Sequence, residues 1–179
     1  MRYNDVVSLE EITTELSDGL HKAPIFVENG EYIFVNAKNL VNGYIVDVDR
    51  DKHSTYEEYC KYKSPVGERT ILYSIDGTIG NIARYRGEKC ILGKGACYIN
   101  VKDSVDLDYV YYVLQSDHFK AYITQMSTGS TIKHISLKTM RNYKFFLPEF
   151  SMQKAIAKIL KSIDEKIETN EKINDNLAA

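Results

Sequence analysis

Through residue 150 the apolar positions come in short runs, rich in β-branched and aromatic side chains and separated by glycine and asparagine. Such runs predict strands over residues 31–36 (EYIFVN), 44–48 (YIVDV), 70–75 (TILYSI), 78–85 (TIGNIARY) and 96–101 (ACYINV). They read as one curved, mainly antiparallel sheet. Asn42-Gly43 and Asp76-Gly77 are tight-turn dipeptides, the second between two predicted strands. Short helices interrupt the pattern. Ser8 with Glu11 and Ser54 with Glu57 have the spacing of a capping box, and Asp106 can cap a helix through Leu107, Val110, Val113 and Leu114. A further helix is predicted over 119–126, ending near Gly129.

From Ser151 the period changes. Pro148 can close the strand YKFFL, Ser151 can N-cap, and the rest of the chain contains neither glycine nor proline, so one long helix is predicted. Ile156, Leu160, Ile163, Ile167 and Leu177, with Asn170 and Asn174 filling the seam, follow the alternating spacing of a coiled-coil heptad. From Met152 to Leu177 that helix would run about 39 Å at 1.5 Å per residue. A small domain cannot cover such a length, so the stripe is expected to pack on an equivalent helix; the alternative is a helix folded back on its own sheet. The predicted fold is therefore α+β, with a sheet domain over 1–150 and a helix over 151–179.

Charge changes this picture more than composition does. The 179 residues carry a formal net charge of -2, which by itself argues against a polyanionic partner. Split by position, residues 1–60 carry net −7, residues 61–150 net +5 and residues 151–179 net 0. Between His118 and Pro148 stand Lys120, Lys133, Lys138, Arg141 and Lys144 with no acid, which predicts a basic surface. No apolar run approaches the roughly 20 residues of a membrane span and the N-terminal MRYNDVVSLEE is too acidic and polar for a signal peptide, so a cytoplasmic protein is expected; three cysteines without a CxxC pair predict reduced, mostly buried thiols.

Catalytic signatures are missing. Gly93-Lys94-Gly95 resembles a phosphate loop, but its spacing from Gly87 is wrong and no Ser/Thr follows, so it reads as a turn. Asp164-Glu165-Lys166 has nuclease letters but lies on the heptad helix, and the four histidines form no metal-ligand spacing. The expectation is a binding module with no catalytic residues, no cofactor and no metal.

Several stretches, in order, resemble half of a specificity (S) subunit of type I restriction-modification systems. They are 18–24 (DGLHKAP), 30–35 (GEYIFV) with 39–45 (NLVNGYI), 71–81 (ILYSIDGTIGN), 128–135 (TGSTIKHI), and 147–149 (LPE) running into Gln153, Ile156, Ala157, Ile159, Leu160, Ile163, Asp164 and Ile167. Where the family usually has Gly-Asp before its Ile-Leu-x-Ser-Ile strand, this chain has Gly67-Glu68-Arg69-Thr70. A typical S subunit also has two recognition domains and two spacer helices against one of each here; a natural half-subunit, a truncated product and an engineered fragment all fit.

The resemblance implies sequence-specific recognition of one half of a bipartite double-stranded DNA target. It also implies recruitment of adenine-methyltransferase (modification) subunits, with restriction subunits as a further class of partner, and homodimerisation through the C-terminal helix. The alternative is an assembly or decoy module that dimerises and captures modification subunits without reading DNA. For DNA contact the residue chemistry favours Ser130, Thr131, Lys133 and His134 first, then His21 and Lys22, with Arg84, Arg86, Lys89 and Lys94 as phosphate contacts. Asp76-Gly77 reads as a structural turn more than as a base contact.

Overall fold

The computed structural model describes residues 5–48, 52–127 and 133–178. Its strands are β1 (Asp5–Ser8), β2 (Thr13–Asp18), β3 (Phe26–Val27), β4 (Tyr32–Val35), β5 (Leu40–Val41), β6 (Tyr44–Ile45), β7 (His53–Ser54), β8 (Thr70–Ser74), β9 (Ile82–Arg84), β10 (Cys90–Leu92), β11 (Ala96–Val101) and β12 (Lys144–Leu147). The helices are α1 (Tyr56–Tyr62), α2 (Leu107–Val113), α3 (Asp117–Met126), α4 (Leu137–Asn142) and α5 (Phe150–Ala178).

The central sheet has the order β2-β11-β8-β9 and is antiparallel throughout. Both of its faces are buried, which is why β8 and β11 read as continuous apolar runs rather than as alternating ones. On one face Leu16, Ile71, Tyr73, Cys97 and Ile99 pack under α2, α3 and α4, with Phe119 and Tyr143 meeting edge to face at 4.5 Å. On the other face Leu72, Ala83, Ala96 and Tyr98 pack on Ile33, Val35, Cys90 and Leu92 of a second sheet, β10-β4-β7-β3. In that sheet β10 runs parallel to β4. The layers are therefore helices, sheet and sheet. Cys90 and Cys97 are buried, and burial pushes both thiols up to about 12; Cys60 is exposed.

Several local expectations need correction. Ser8 and Glu11 do make the reciprocal bonds of a capping box, the Ser8 amide donating to Glu11 Oε2 at 2.6 Å and the Glu11 amide to Ser8 Oγ at 3.3 Å, and the Ser8 amide and hydroxyl bonds hold the Glu11 carboxyl below its ordinary range. They close a turn between β1 and β2, because β1 is committed to pairing with β12. In α1 the cap is Thr55, which accepts from the Glu58 amide, while the Ser54 hydroxyl donates to the Ile25 carbonyl. The Asn42-Gly43 turn closes the β5–β6 hairpin with both residues at positive φ, 47° and 83°. Asp76-Gly77 instead lies inside a longer connection from β8 to β9, clasped by the Ser74 hydroxyl accepting from the Asn81 amide. Arg69, in the variant turn 67–70, donates to the carbonyls of Val101, Lys102 and Val105, so this departure ties the end of β11 to the approach of α2.

Helix α5 starts at Phe150, one residue before the expected cap. Its 29 residues extend about 43 Å at 1.5 Å per residue. Gln153 and Ala157 are buried and Ile156, Leu160, Asp164 and Glu168 are half-buried against the chain's own domain. Ile159, Ile163, Ile167, Ile173 and Leu177 stay exposed. The predicted seam thus divides: Ile156 and Leu160 lean on the home domain, and the stripe from Ile163 onward is uncovered.

Candidate nucleic-acid interface

Four separate segments are brought together by backbone pairing. The chain leaving β2 runs along the turn between β10 and β11: the Leu20 amide donates to the Leu92 carbonyl at 2.7 Å and the Lys94 amide to the Leu20 carbonyl at 3.1 Å. Gly19 is required for this approach, since a Cβ there would stand 2.3 Å from the Leu92 carbonyl oxygen. The end of β8 pairs with the segment before α4 in the same way, Ile135 N–H donating to the Ile75 carbonyl at 2.9 Å and Gly77 N–H to the Lys133 carbonyl at 3.1 Å. Ile75 N–H donates to the Gly95 carbonyl and joins the two halves.

The product is a shallow depression of about 390 Å³ lined by Asp18, His21, Asp76, Lys94 and His134. Asp18 and Asp76 form its floor with side chains 21% and 24% exposed; His21 and Lys94 rise from it with side chains 70% and 61% exposed. His21 Nε2 lies 2.7 Å from Asp18 Oδ2, and Lys94 Nζ lies 3.5 Å from Asp76 Oδ2. His134 bridges Asp76 through the backbone and is exposed, as are Lys22 and Lys133. The structure therefore assembles His21, Lys94 and His134, with Lys133 adjoining; Ser130 and Thr131 lie outside the described residues. What sequence reasoning missed is the pairing of His21 with Asp18 and of Lys94 with Asp76, the second of which depends on contact between distant segments.

The other predicted cations are elsewhere. Lys89 is paired with Glu31 at 2.6 Å, a bond that raises the lysine and lowers the carboxyl. Arg84 and Arg86 line a wider groove of about 770 Å³ between the β5–β6 hairpin and α5. The Arg84 guanidinium stacks on Tyr111, 3.5 Å from the ring centre, and Nη2 stands 2.8 Å from Asp108 outside hydrogen-bond alignment. Arg86 covers Tyr44 at 4.2 Å and donates to the Gly43 carbonyl. Asp164, Glu165, Glu168 and Glu171 of α5 line the same groove, an arrangement that disfavours a phosphate backbone there.

At the junction of α5 with the domain, the Asp106 amide donates to Gln153 Oε1 at 2.9 Å and Gln153 Nε2 donates to the Pro148 carbonyl at 2.7 Å. The Tyr112 hydroxyl donates to Asp164 at 2.8 Å; burial first and this bond second raise the phenol well above its ordinary range. Among the described residues no group of three or more His, Cys, Asp or Glu side chains is placed to hold a metal ion, and no helix is long and apolar enough to cross a membrane.

Comparison with known proteins gives one consistent result. The chain is 35% identical over 115 residues to a putative type I restriction enzyme MjaX specificity subunit of Methanocaldococcus jannaschii, covering 63% of this chain and 26% of that protein. It is 27% identical over 152 residues to the MjaIX specificity subunit of the same organism, covering 83% of this chain and 34% of the relative. Its fold is shared with the S subunit of a type I restriction-modification system from M. genitalium (TM-score 0.65, 20% identity, 98% of this chain and 44% of that one). It is also shared with the HsdS subunit from Thermoanaerobacter tengcongensis (TM-score 0.67, 17% identity, 96% and 40%). The chain thus spans 26% to 34% of the length of these two curated relatives. The model of the type I restriction modification DNA specificity domain matches residues 3–179, and the chain belongs to that family.

Proposed function

We propose that this chain is a DNA-reading component of a type I restriction-modification system. In this reading its domain over 1–150 recognises one half of a bipartite target, and α5 (Phe150–Ala178) sets the distance to the other half and serves as the dimer and partner helix. Modification subunits that methylate adenine dock on the assembly, and the chain itself supplies specificity rather than chemistry. One observation carries the reading: His21, Lys94, Lys133 and His134, from three segments far apart in sequence, converge beside one open depression with exposed Lys22 next to His21. Cations and backbone donors there serve phosphates, while Ser130, Thr131 and His134 have the donor and acceptor chemistry of base readers. Arg84 and Arg86 are assigned to the acid-lined groove beside α5 and left out of the DNA-facing set.

Two copies joined through the exposed Ile163 and Ile167 would carry two identical recognition surfaces related by a two-fold axis, so the target is an inverted repeat. Co-expression with type I modification subunits, followed by mapping of methylated adenines, is expected to return one motif with identical inverted halves. Capture of the modification subunits without any sequence preference would instead establish a decoy. Changing Ile163 and Ile167 together to Asp is expected to turn a dimer into a monomer in sedimentation at micromolar concentration. A wild-type monomer under those conditions removes the seam.

A further inference from the structure

The depression holds two carboxylates on what the proposed function makes a polyanion-facing surface, and this is what needs explaining. Each acid is recessed and has a nitrogen-bearing side chain standing in front of it, His21 over Asp18 and Lys94 over Asp76. The outward groups are the imidazole and the ammonium, so the acids aim them and do not themselves meet the ligand. His21 has a further constraint. With Nε2 bonded to Asp18, a neutral ring donates its one N–H to the carboxylate and presents a lone pair at Nδ1. That lone pair repels a phosphate oxygen; only the doubly protonated ring has a second N–H to donate. Counted over the lining residues, Asp18 and Asp76 give −2 and Lys94 gives +1, so the depression is at −1 with both imidazoles neutral and at +1 with both protonated.

We infer that this depression is a phosphate clamp of the DNA backbone in which Asp18 positions His21, Asp76 positions Lys94, and His21 takes up a proton when the phosphate binds. The inference rests on the DNA-reading function proposed above and adds a proton to it. The charged and titratable groups lining the depression with His21 are Asp18 on its own segment, Lys94 on the turn after β10, Asp76 after β8 and His134 before α4, with exposed Lys22 and Lys133 adjoining them in sequence. Of these, only the imidazoles belong to a side-chain class that ordinarily changes charge between about pH 5 and 8. Proton uptake on binding means affinity is highest on the acid side and is lost as pH rises, by up to about tenfold per pH unit for each proton.

The test is the Kd of the full chain for a pool of random-sequence duplex DNA, read by fluorescence anisotropy from pH 6 to 8 at constant ionic strength. Random sequence suffices because a phosphate clamp reads no bases. Wild type is expected to weaken about tenfold or more across this range. His21→Gln, at an exposed position, is expected to flatten the pH dependence, and Asp18→Asn to weaken binding and shift its loss to lower pH. Lys94→Gln should weaken binding uniformly and reduce the salt slope by about one without altering the pH slope. Thermal melting of each variant separates misfolding from lost contacts, and His21→Gln alone decides the matter if Asp18→Asn fails to fold. DNA binding by wild type that does not change with pH overturns the clamp and leaves DNA reading intact. So does a His21→Gln variant that keeps the wild-type pH slope; if the same variant changes the methylated motif in the co-expression experiment, His21 is a base reader. No DNA binding at any pH, with no methylated motif in the co-expression experiment, overturns the DNA-reading function itself.

Discussion

The two ends of the domain handle polar groups in opposite ways. Where α5 meets α2, polar atoms are buried and face inward: Gln153 is 0% exposed and satisfies both the Asp106 amide and the Pro148 carbonyl. The Tyr112 hydroxyl donates a hydrogen bond to Asp164, and Arg84 lies flat on Tyr111. At the depression the carboxylates sit underneath and the His21 and Lys94 nitrogens stand in solvent. A buried polar group that loses its partner pays the full desolvation cost, whereas an exposed ion pair contributes little to folding. The junction is therefore built for stability, whereas the exposed pairs of the depression contribute little to it.

Substitutions should separate the two regions. The largest effect on stability is expected at Gln153→Ala, which strands a buried amide and a buried carbonyl and should cost about 2–4 kcal/mol, lowering Tm by roughly 5–12 °C for a chain of this size. Calorimetry showing a loss below 1 kcal/mol would deny that the junction is held by this residue. Next comes Arg84→Ala, which removes a stacked cation and its packing on Tyr111 for about 1–2 kcal/mol, since part of the gain from stacking is offset by a guanidinium with two unbonded nitrogens. The smallest stability effect belongs to Lys133→Ala, within about 0.5 kcal/mol in denaturant melts. The same change should lower the salt slope of DNA binding by about one, and Lys22→Ala should do likewise. A destabilising Lys133→Ala with an unchanged salt slope would place that lysine on the structural side of the contrast.

Legibility in the sequence followed the range of the interactions involved. β11 occupies the predicted residues 96–101 and β8 ends one residue short of its prediction, because β-branched runs between turns are local signals. Asp106 caps α2 as read, accepting from the Tyr109 amide at 2.8 Å. Ser8 and Glu11 misled because a capping box is satisfied equally well by a turn, and only β12, at the far end of the domain, decides that β1 is a strand. The strand β10 and the helix α4 carry too few periodic positions to announce themselves. In the candidate site, His21, Lys94, Lys133 and His134 could be named from residue chemistry, but Asp18 and Asp76 could not be matched to them before the ladder between residues 18–20 and 92–96 was known. Arg84 has the composition of a phosphate contact; its real neighbours, Tyr111, Asp108 and Lys161 beyond, belong to elements later in the chain.

The double fastening of α5, by Gln153 at its root and by Asp164 through Tyr112 three turns on, makes the domain and the helix a single lever. A tilt of about 5° at the root would carry the far tip of this 29-residue helix, about 43 Å away, through about 4 Å, close to the rise of one base pair. In the function proposed above, angular stiffness at one glutamine becomes tolerance along the DNA: a junction that wobbled by a few degrees could not tell neighbouring base-pair separations apart.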